Sequence, residues 1–150
     1  MSVDNSSWSI ERDYPHLPER VFTAWADPGP KVRWFGLSGI ANPDYLGDFR
    51  VGGTEHLRTP AGVRPAFTYD AQYRDIVENE RIVTTYEMSM DGQRTLVSVA
   101  TVELHATSAG THLVYTEQGA YLDGLDSPYS RRTGTTCQLE NLATVLKEQA

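Results

Sequence analysis

Two carboxylates stand in strand-like stretches of this sequence, among apolar residues. Alternation places Glu117 in "YTEQG" on the same face as Tyr115, and it places Glu55 in "TEHLRT" on an apolar face. A buried carboxylate is costly unless it is paired or protonated, and a catalytic acid and base would have to converge in space. The simpler alternative is an ion pair or a position at the exposed rim. As partners we expect Arg50, Arg81 or the two carboxylates themselves.

Four tyrosines share the inward faces of these predicted strands. They are Tyr69, Tyr73, Tyr86 and Tyr115. Each hydroxyl needs a hydrogen-bond partner when it is buried, whereas a dry core would favour phenylalanine. The set indicates a hollow that holds water or a ligand. The alternative is that each ring reaches the edge of the sheet and its hydroxyl meets solvent there.

A short aromatic segment, "PERVFTAWADPGPKVRWFG", interrupts the strand-rich pattern near the N-terminus. Phe22 and Trp25 recur at helical spacing, and Trp34 and Phe35 follow the break at Pro28. Core packing is one interpretation, and it suits Phe22 best. The other is that Trp34 and Phe35 cover the mouth of a cavity, next to a loop rich in glycine and proline.

Motifs for the common catalytic classes do not occur in the sequence. It contains no serine nucleophile elbow, P-loop, dinucleotide fingerprint or catalytic Cys–His signature. Cys137 is the single cysteine, which rules out an intrachain disulfide, and the four histidines have no metal-ligand spacing. We therefore assign no catalytic residue, and we expect no metal and no cofactor.

Composition predicts a soluble globular protein. The chain has 150 residues, a formal net charge of −7 and 39% hydrophobic residues, so we expect one domain over residues 1–150. The acidic balance argues against a nucleic-acid partner. There is no apolar run of the roughly 20 residues that a membrane span needs, and "MSVDNSSWSI" does not read as a secretory signal. These features predict a cytoplasmic protein.

The order of elements predicts an α+β fold. Two short helices follow the first strand, a run of strands joined by tight turns comes next, and a long helix ends the chain. The predicted strands cover 7–14, two short stretches on either side of Gly52 and Gly53, and then 65–77, 80–90, 93–104 and 109–121. The terminal helix is expected from about Gly134, with a stripe of Leu139, Leu142, Val145 and Leu146. A twisted antiparallel sheet must cover its concave face, and this stripe is available to do so.

These stretches together resemble one family. "PERVFTAWADP", "DFRVGG" and "ERIV" are similar to the helix-grip (START-like, SRPBCC) superfamily, in the AHSA/CalC-like branch named for the activator of the heat-shock-protein ATPase. The resemblance implies a curved antiparallel sheet wrapped around a long C-terminal helix, with an internal pocket for an apolar or aromatic molecule. It does not decide the activity, because members of this superfamily differ widely in function.

Three functions stay open. The first is binding of a small apolar or aromatic ligand between the sheet and the terminal helix. The second is a cyclase-type or hydrolase-type enzyme that uses polar groups of the pocket, and the third is an interaction module acting on a chaperone ATPase. A homodimer is left open. The predicted ligand-binding residues are Trp25, Trp34, Phe35, Tyr69, Tyr73, Tyr86, Met88, Tyr115, Glu117 and Leu142.

Overall fold

A computed structural model describes residues 1–36 and 43–148 of the protein. The strands are β1 (Val3–Tyr14), β2 (Asp44–Gly47), β3 (Thr54–Arg58), β4 (Phe67–Val77), β5 (Arg81–Met90), β6 (Gln93–Thr107) and β7 (Gly110–Leu122). The helices are α1 (Pro18–Ala26), α2 (Pro28–Trp34) and α3 (Pro128–Glu148). Within the described ranges, no helix is long and apolar enough to cross a membrane.

The seven strands form one curved antiparallel sheet. Its order is β1-β7-β6-β5-β4-β3-β2, so the first strand pairs with the last and every other neighbour in the sheet is also a neighbour in sequence. The helices α1 and α2 lie between β1 and β2 in the chain, which stand at opposite edges of the sheet. This is the predicted α+β helix-grip architecture, and it is confirmed.

The terminal helix α3 lies in the grip of the sheet. Leu139, Leu142 and Leu146 are fully buried in the common core, as their spacing predicts. Two side chains from the N-terminal part of the chain also reach backbone carbonyls of α3. The Tyr14 hydroxyl donates to the carbonyl of Leu139 at 2.9 Å, and the Arg20 guanidinium donates to that of Leu146. The helix is therefore held by polar contacts as well as by its apolar stripe.

The start of α3 differs from the prediction. The helix begins at Pro128 rather than near Gly134. Proline suits the first helical position, because its missing N–H needs no partner there. The hydroxyl of Ser127 accepts from the backbone N–H of Ser130 at 3.1 Å, as an N-terminal cap does. The additional first turns bring further polar residues over the concave face of the sheet.

The glycine pair lies in the predicted turn, but the strand before it was misplaced. β2 ends at Gly47, and "DFRV" forms the turn that leads into β3. Gly52 has φ +84°, a left-handed conformation that favours glycine. A Cβ on Gly53 would lie 2.0 Å from the carbonyl oxygen of Asp48, so only glycine fits this close approach.

Leu142→Ala should destabilise the protein by about 2–5 kcal/mol, because it removes a fully buried side chain at the centre of α3. Asn141→Ala, on the exposed side of the same helix turn, is the control and should change the free energy of unfolding by about 0.5 kcal/mol or less. Urea unfolding measures both. A cost for Leu142→Ala as small as that of the control would contradict the central position of α3.

Candidate functional site

The first buried carboxylate belongs to a cluster between β3 and α2. Glu55 is 1% exposed, and the Lys31 ammonium, 2% exposed, lies 2.9 Å from its Oε2. The hydroxyls of Tyr73 (2.9 Å) and Tyr45 donate to the same oxygen, and the hydroxyl of Tyr69 lies 3.4 Å from Oε1. The carboxylate is thus compensated by one cation and by hydroxyl donors from β2 and β4. We call these five residues the Lys31 cluster.

Aromatic rings enclose the Lys31 ammonium on its other side. Its Nζ lies 4.2 Å from the ring centre of Phe35, 5.2 Å from that of Trp25 and 5.4 Å from that of Trp34. Such rings attract a cation through their negative faces, most strongly where water is excluded. Three of the aromatic residues predicted to line a pocket therefore surround a lysine of their own chain.

Burial and pairing set the protonation of the Lys31 cluster. Burial alone would raise the pKa of Glu55, but the Lys31 charge and the hydrogen bonds from Tyr45, Lys31 and Tyr73 lower it below its ordinary value. Burial, reinforced by the negative charge of Glu55, raises the pKa of Tyr45, Tyr69 and Tyr73. The carboxylate therefore stays charged at neutral pH, and the phenols stay neutral donors.

The second buried carboxylate belongs to a cluster between β7 and α3. Glu117 is 0% exposed, and it accepts from the hydroxyls of Tyr86 at 2.6 Å and Tyr115 at 2.7 Å. The Nε of Arg131 donates to the Tyr86 hydroxyl at 2.8 Å and lies 3.9 Å from Glu117 Oε2. Burial raises the pKa of both tyrosines, so they remain neutral. We call these four residues the Arg131 cluster.

The two clusters meet inside the fold. The rings of Tyr69, from the Lys31 cluster, and Tyr86, from the Arg131 cluster, lie 4.8 Å apart at an angle of 35°. Behind the Arg131 cluster, Trp8 stacks on Tyr115 at 5.7 Å and donates to the Tyr121 hydroxyl. The inward tyrosines thus fill much of the space between sheet and helix with their rings and satisfy their hydroxyls on the protein's own carboxylates.

A cavity of about 340 Å³ remains beside the Arg131 cluster, between the first turns of α3 and strands β4 to β6. Its apolar wall is formed by Phe67, Met88, Met90 and Leu125. The other lining residues are Gly36, Thr95, Asp126, Ser130, Arg131, Gly134 and Gln138. A shallower depression of about 550 Å³ on the opposite face of the sheet has no charged residue in its lining.

A β-bulge shapes one wall of this cavity. Met88 pairs with Leu96 and Ser89 with Arg94, so Thr95 is an additional residue in β6. As a result both Thr95 and Leu96 are buried although they are adjacent in a strand. The bulge thereby turns Thr95 toward the cavity, where its hydroxyl donates to the carbonyl of Met88 at 3.3 Å.

In the part of the chain that the structure describes, no group of three or more His, Cys, Asp or Glu side chains is arranged to hold a metal ion. The cavity combines an apolar wall with the guanidinium of Arg131, which Tyr86 and Glu117 hold from behind, and for this reason it is the candidate site.

Comparison with protein families assigns the chain. Residues 15–147 match the family described as activator of Hsp90 ATPase homolog 1-like protein (AHSA1). The chain belongs to the AHSA1-like family. This confirms the resemblance seen in the sequence. A comparison with curated proteins gave no match.

Solved structures of other proteins share this fold. A protein from Rhizobium leguminosarum is 38% identical, with a TM-score of 0.92 over 98% of this chain and 97% of its own. The Mll3558 protein from Rhizobium loti is 45% identical, with a TM-score of 0.89 over 97% and 99%. The SA2116 protein from Staphylococcus aureus shares the fold at 17% identity, with a TM-score of 0.77 over 98% and 96%.

The predicted site residues of this AHSA1-like protein fall into three places. Met88 borders the cavity, while Tyr86, Tyr115 and Glu117 stand behind its wall around Arg131. Tyr69 and Tyr73 belong to the Lys31 cluster, and its ammonium is enclosed by the rings of Trp25, Trp34 and Phe35. Leu142 lies in the core. Their roles in ligand binding stay a prediction.

The expected partners of the carboxylates were wrong. Arg50 pairs with Asp48 at 2.8 Å, and Arg81 pairs with Asp75 at 2.6 Å, both at the exposed surface. Each glutamate instead takes its cation from a helix.

A signal for both cations exists in the sequence. Arg131 continues the apolar stripe of α3 backwards by helical steps through Thr135 to Leu139, but this is visible only when the helix begins at Pro128. In the same way, Lys31 precedes the buried Trp34 by three residues on α2, which begins at Pro28. The start predicted for α3, near Gly134, left Arg131 outside the helix.

Lys31→Met should destabilise the protein by about 3–5 kcal/mol, because it leaves Glu55 as a buried charge without its cation. The double variant Lys31→Met/Glu55→Gln should recover a large part of that loss, since it removes the unpaired charge as well. The control is Arg33→Met, on the same helix as Lys31, which removes an exposed ion pair between Arg33 and Glu148 of α3. It should cost about 1 kcal/mol or less. Urea unfolding of the wild type and the three variants measures these losses, and adding Glu55→Gln completes the double-mutant cycle that gives the coupling energy of the pair. Equal losses in the single and the double variant would contradict the buried pair.

The stability of the protein should fall on the acid side through Glu55. Its pKa in the folded protein lies below the ordinary value of 4.5, so its contribution is complete above that pH and is lost as the pH falls through the folded pKa. The unfolding free energy of Lys31→Met/Glu55→Gln should therefore depend less on pH below 4.5 than that of the wild type. Urea titrations between neutral pH and the acid transition measure this, and parallel curves would contradict it.

Proposed function

We propose that this AHSA1-like protein binds a small, largely apolar or aromatic molecule in the cavity beside Arg131. The observation that carries the proposal is a cavity of about 340 Å³ with an apolar wall on one side and a buried charged group on the other. Small-molecule sites commonly have volumes of about 300–1,000 Å³ and combine apolar walls with a few polar groups. The fold family, whose members commonly enclose ligands, supports the same function.

The geometry favours binding over acid–base catalysis. Glu117 and Glu55 do not border the cavity, and both already accept hydrogen bonds from tyrosine hydroxyls. A general base must come within hydrogen-bond distance of the proton that it removes. Neither of these two carboxylates therefore reaches the cavity. Asp126, the carboxylate that borders it, accepts from the backbone N–H of Ser127 at 2.7 Å.

Gly134 offers a way to test the cavity without damaging the fold. It lies inside α3 and borders the cavity, and a Cβ built on it would have Arg131 Nη1, at 3.8 Å, as its nearest neighbour. A larger side chain can therefore grow into the cavity. It would also remove a glycine from a helix interior, which stabilises a helix by about 0.5–1 kcal/mol.

Gly134→Leu should weaken binding of a neutral apolar dye such as N-phenylnaphthylamine by at least about tenfold, while its unfolding free energy stays equal to that of the wild type or rises. Gly134→Ala should keep binding, because it adds one methyl group. Thr133→Leu, which introduces the same side chain at the exposed neighbouring position, is the control. Fluorescence titration measures the affinity and urea unfolding the stability. Undiminished dye binding by Gly134→Leu would exclude this cavity as the site.

A further inference from the structure

Arg131 turns part of its guanidinium toward the cavity. Its side chain is 10% exposed, and its Nε is occupied by the Tyr86 hydroxyl at 2.8 Å. Among the hydrogen bonds formed by residues 1–36 and 43–148, none uses its Nη1 or Nη2, and neither of these atoms is sealed from the open space. A buried guanidinium with unused donors favours a ligand that supplies an acceptor.

Two other polar side chains of the wall are already engaged. The Thr95 hydroxyl donates to the Met88 carbonyl, and the Gln138 amide donates to the Gly36 carbonyl at 3.1 Å. Arg131 is therefore the strongest donor that faces the cavity in the described part of the chain.

The charges around the cavity decide which acceptor fits. The positive charge of Arg131 is balanced by Glu117 at 3.9 Å, and the hydroxyls of Tyr86 and Tyr115 remain neutral. A second carboxylate, that of Asp126, belongs to the cavity wall. An anionic ligand would place a further negative charge beside these two carboxylates without a cation of its own, and burying such a charge is expensive. A ligand with a neutral acceptor adds no charge to the cavity.

The remaining wall fits the body of such a molecule. Phe67, Met88, Met90 and Leu125 provide an apolar surface with two methionines. Methionine side chains are flexible and polarisable, and their sulfur atoms make favourable contacts with aromatic rings.

Building on the proposed function, we infer that the cavity selects a neutral, largely apolar molecule with a carbonyl-type acceptor oxygen, and that the Nη atoms of Arg131 donate to that oxygen. The cavity discriminates against the carboxylate analogue of the same molecule.

Three naphthalene derivatives substituted at the same ring position test this selectivity: acetylnaphthalene, naphthoate and ethylnaphthalene. Their affinities are measured at neutral pH by displacement of N-phenylnaphthylamine and by isothermal titration calorimetry. The wild type should bind the ketone acetylnaphthalene roughly tenfold more tightly than the hydrocarbon ethylnaphthalene, because the ketone accepts a hydrogen bond from a charged donor. It should also bind the ketone more tightly than naphthoate, by a factor of roughly ten or more.

Two variants assign the selectivity to the charges. Glu117→Gln leaves Arg131 unbalanced and should shift the preference toward naphthoate by roughly tenfold relative to the ketone. Glu117→Gln/Arg131→Met removes both charges together, so that no unpaired charge is buried, and should bind ketone and hydrocarbon equally. Arg132→Met removes the neighbouring arginine, which donates to the Ser9 carbonyl, and should bind all three as the wild type does.

The outcomes separate this inference from the proposed function. Equal affinities for ketone and hydrocarbon, or tightest binding of naphthoate by the wild type, would overturn the inferred ligand class and leave the cavity as an apolar binding site. A ketone preference that survives in Glu117→Gln/Arg131→Met would remove Arg131 from the role of donor. Binding of N-phenylnaphthylamine but of none of the three would overturn this inference alone. Binding of neither the dye nor any of the three would overturn the proposed function, and this inference with it.

Discussion

Two carboxylates inside the protein, Glu55 and Glu117, must be compensated without water, and the rest of the fold is arranged to do so. Each is held by tyrosine hydroxyls from the sheet and by one cation from a helix. Lys31 ties α2 to β3, and Arg131 ties α3 to β7 and β5. Because an unpaired buried charge is far costlier than an imperfect apolar contact, these pairs restrict where the helices can sit over the sheet.

The same requirement shapes the candidate site. Arg131 balances Glu117 inside the fold. In its hydrogen bonds to the described residues it uses only its Nε, so the rest of its guanidinium belongs to the cavity wall. The tyrosines fill much of the grip, and a cavity remains beside the first turns of α3. One polar side chain thus balances a buried charge on one side and forms part of the cavity wall on the other.

The sequence predicts the sheet well because alternation fixes which side chains point inward. Glu55, Glu117 and the inward tyrosines are buried as their positions in the strands require. The partners were not predictable in this way, since Lys31 and Arg131 come from helices whose starts depend on local signals. At α3 these are the Ser127 cap and Pro128. The β-bulge at Thr95 was also not predicted, because it breaks the alternation on which the strand prediction depends.

Gly134 keeps part of the cavity open at a cost in helix stability. The residue lies on a rigid helix, borders open space and makes none of the contacts that hold the two charged clusters together. A larger side chain here would reduce the cavity volume, and any residue except proline would also stabilise the helix. Keeping the cavity open at this position therefore costs the helix stability. The volume of the cavity is thus set at a position that leaves both charged clusters unchanged.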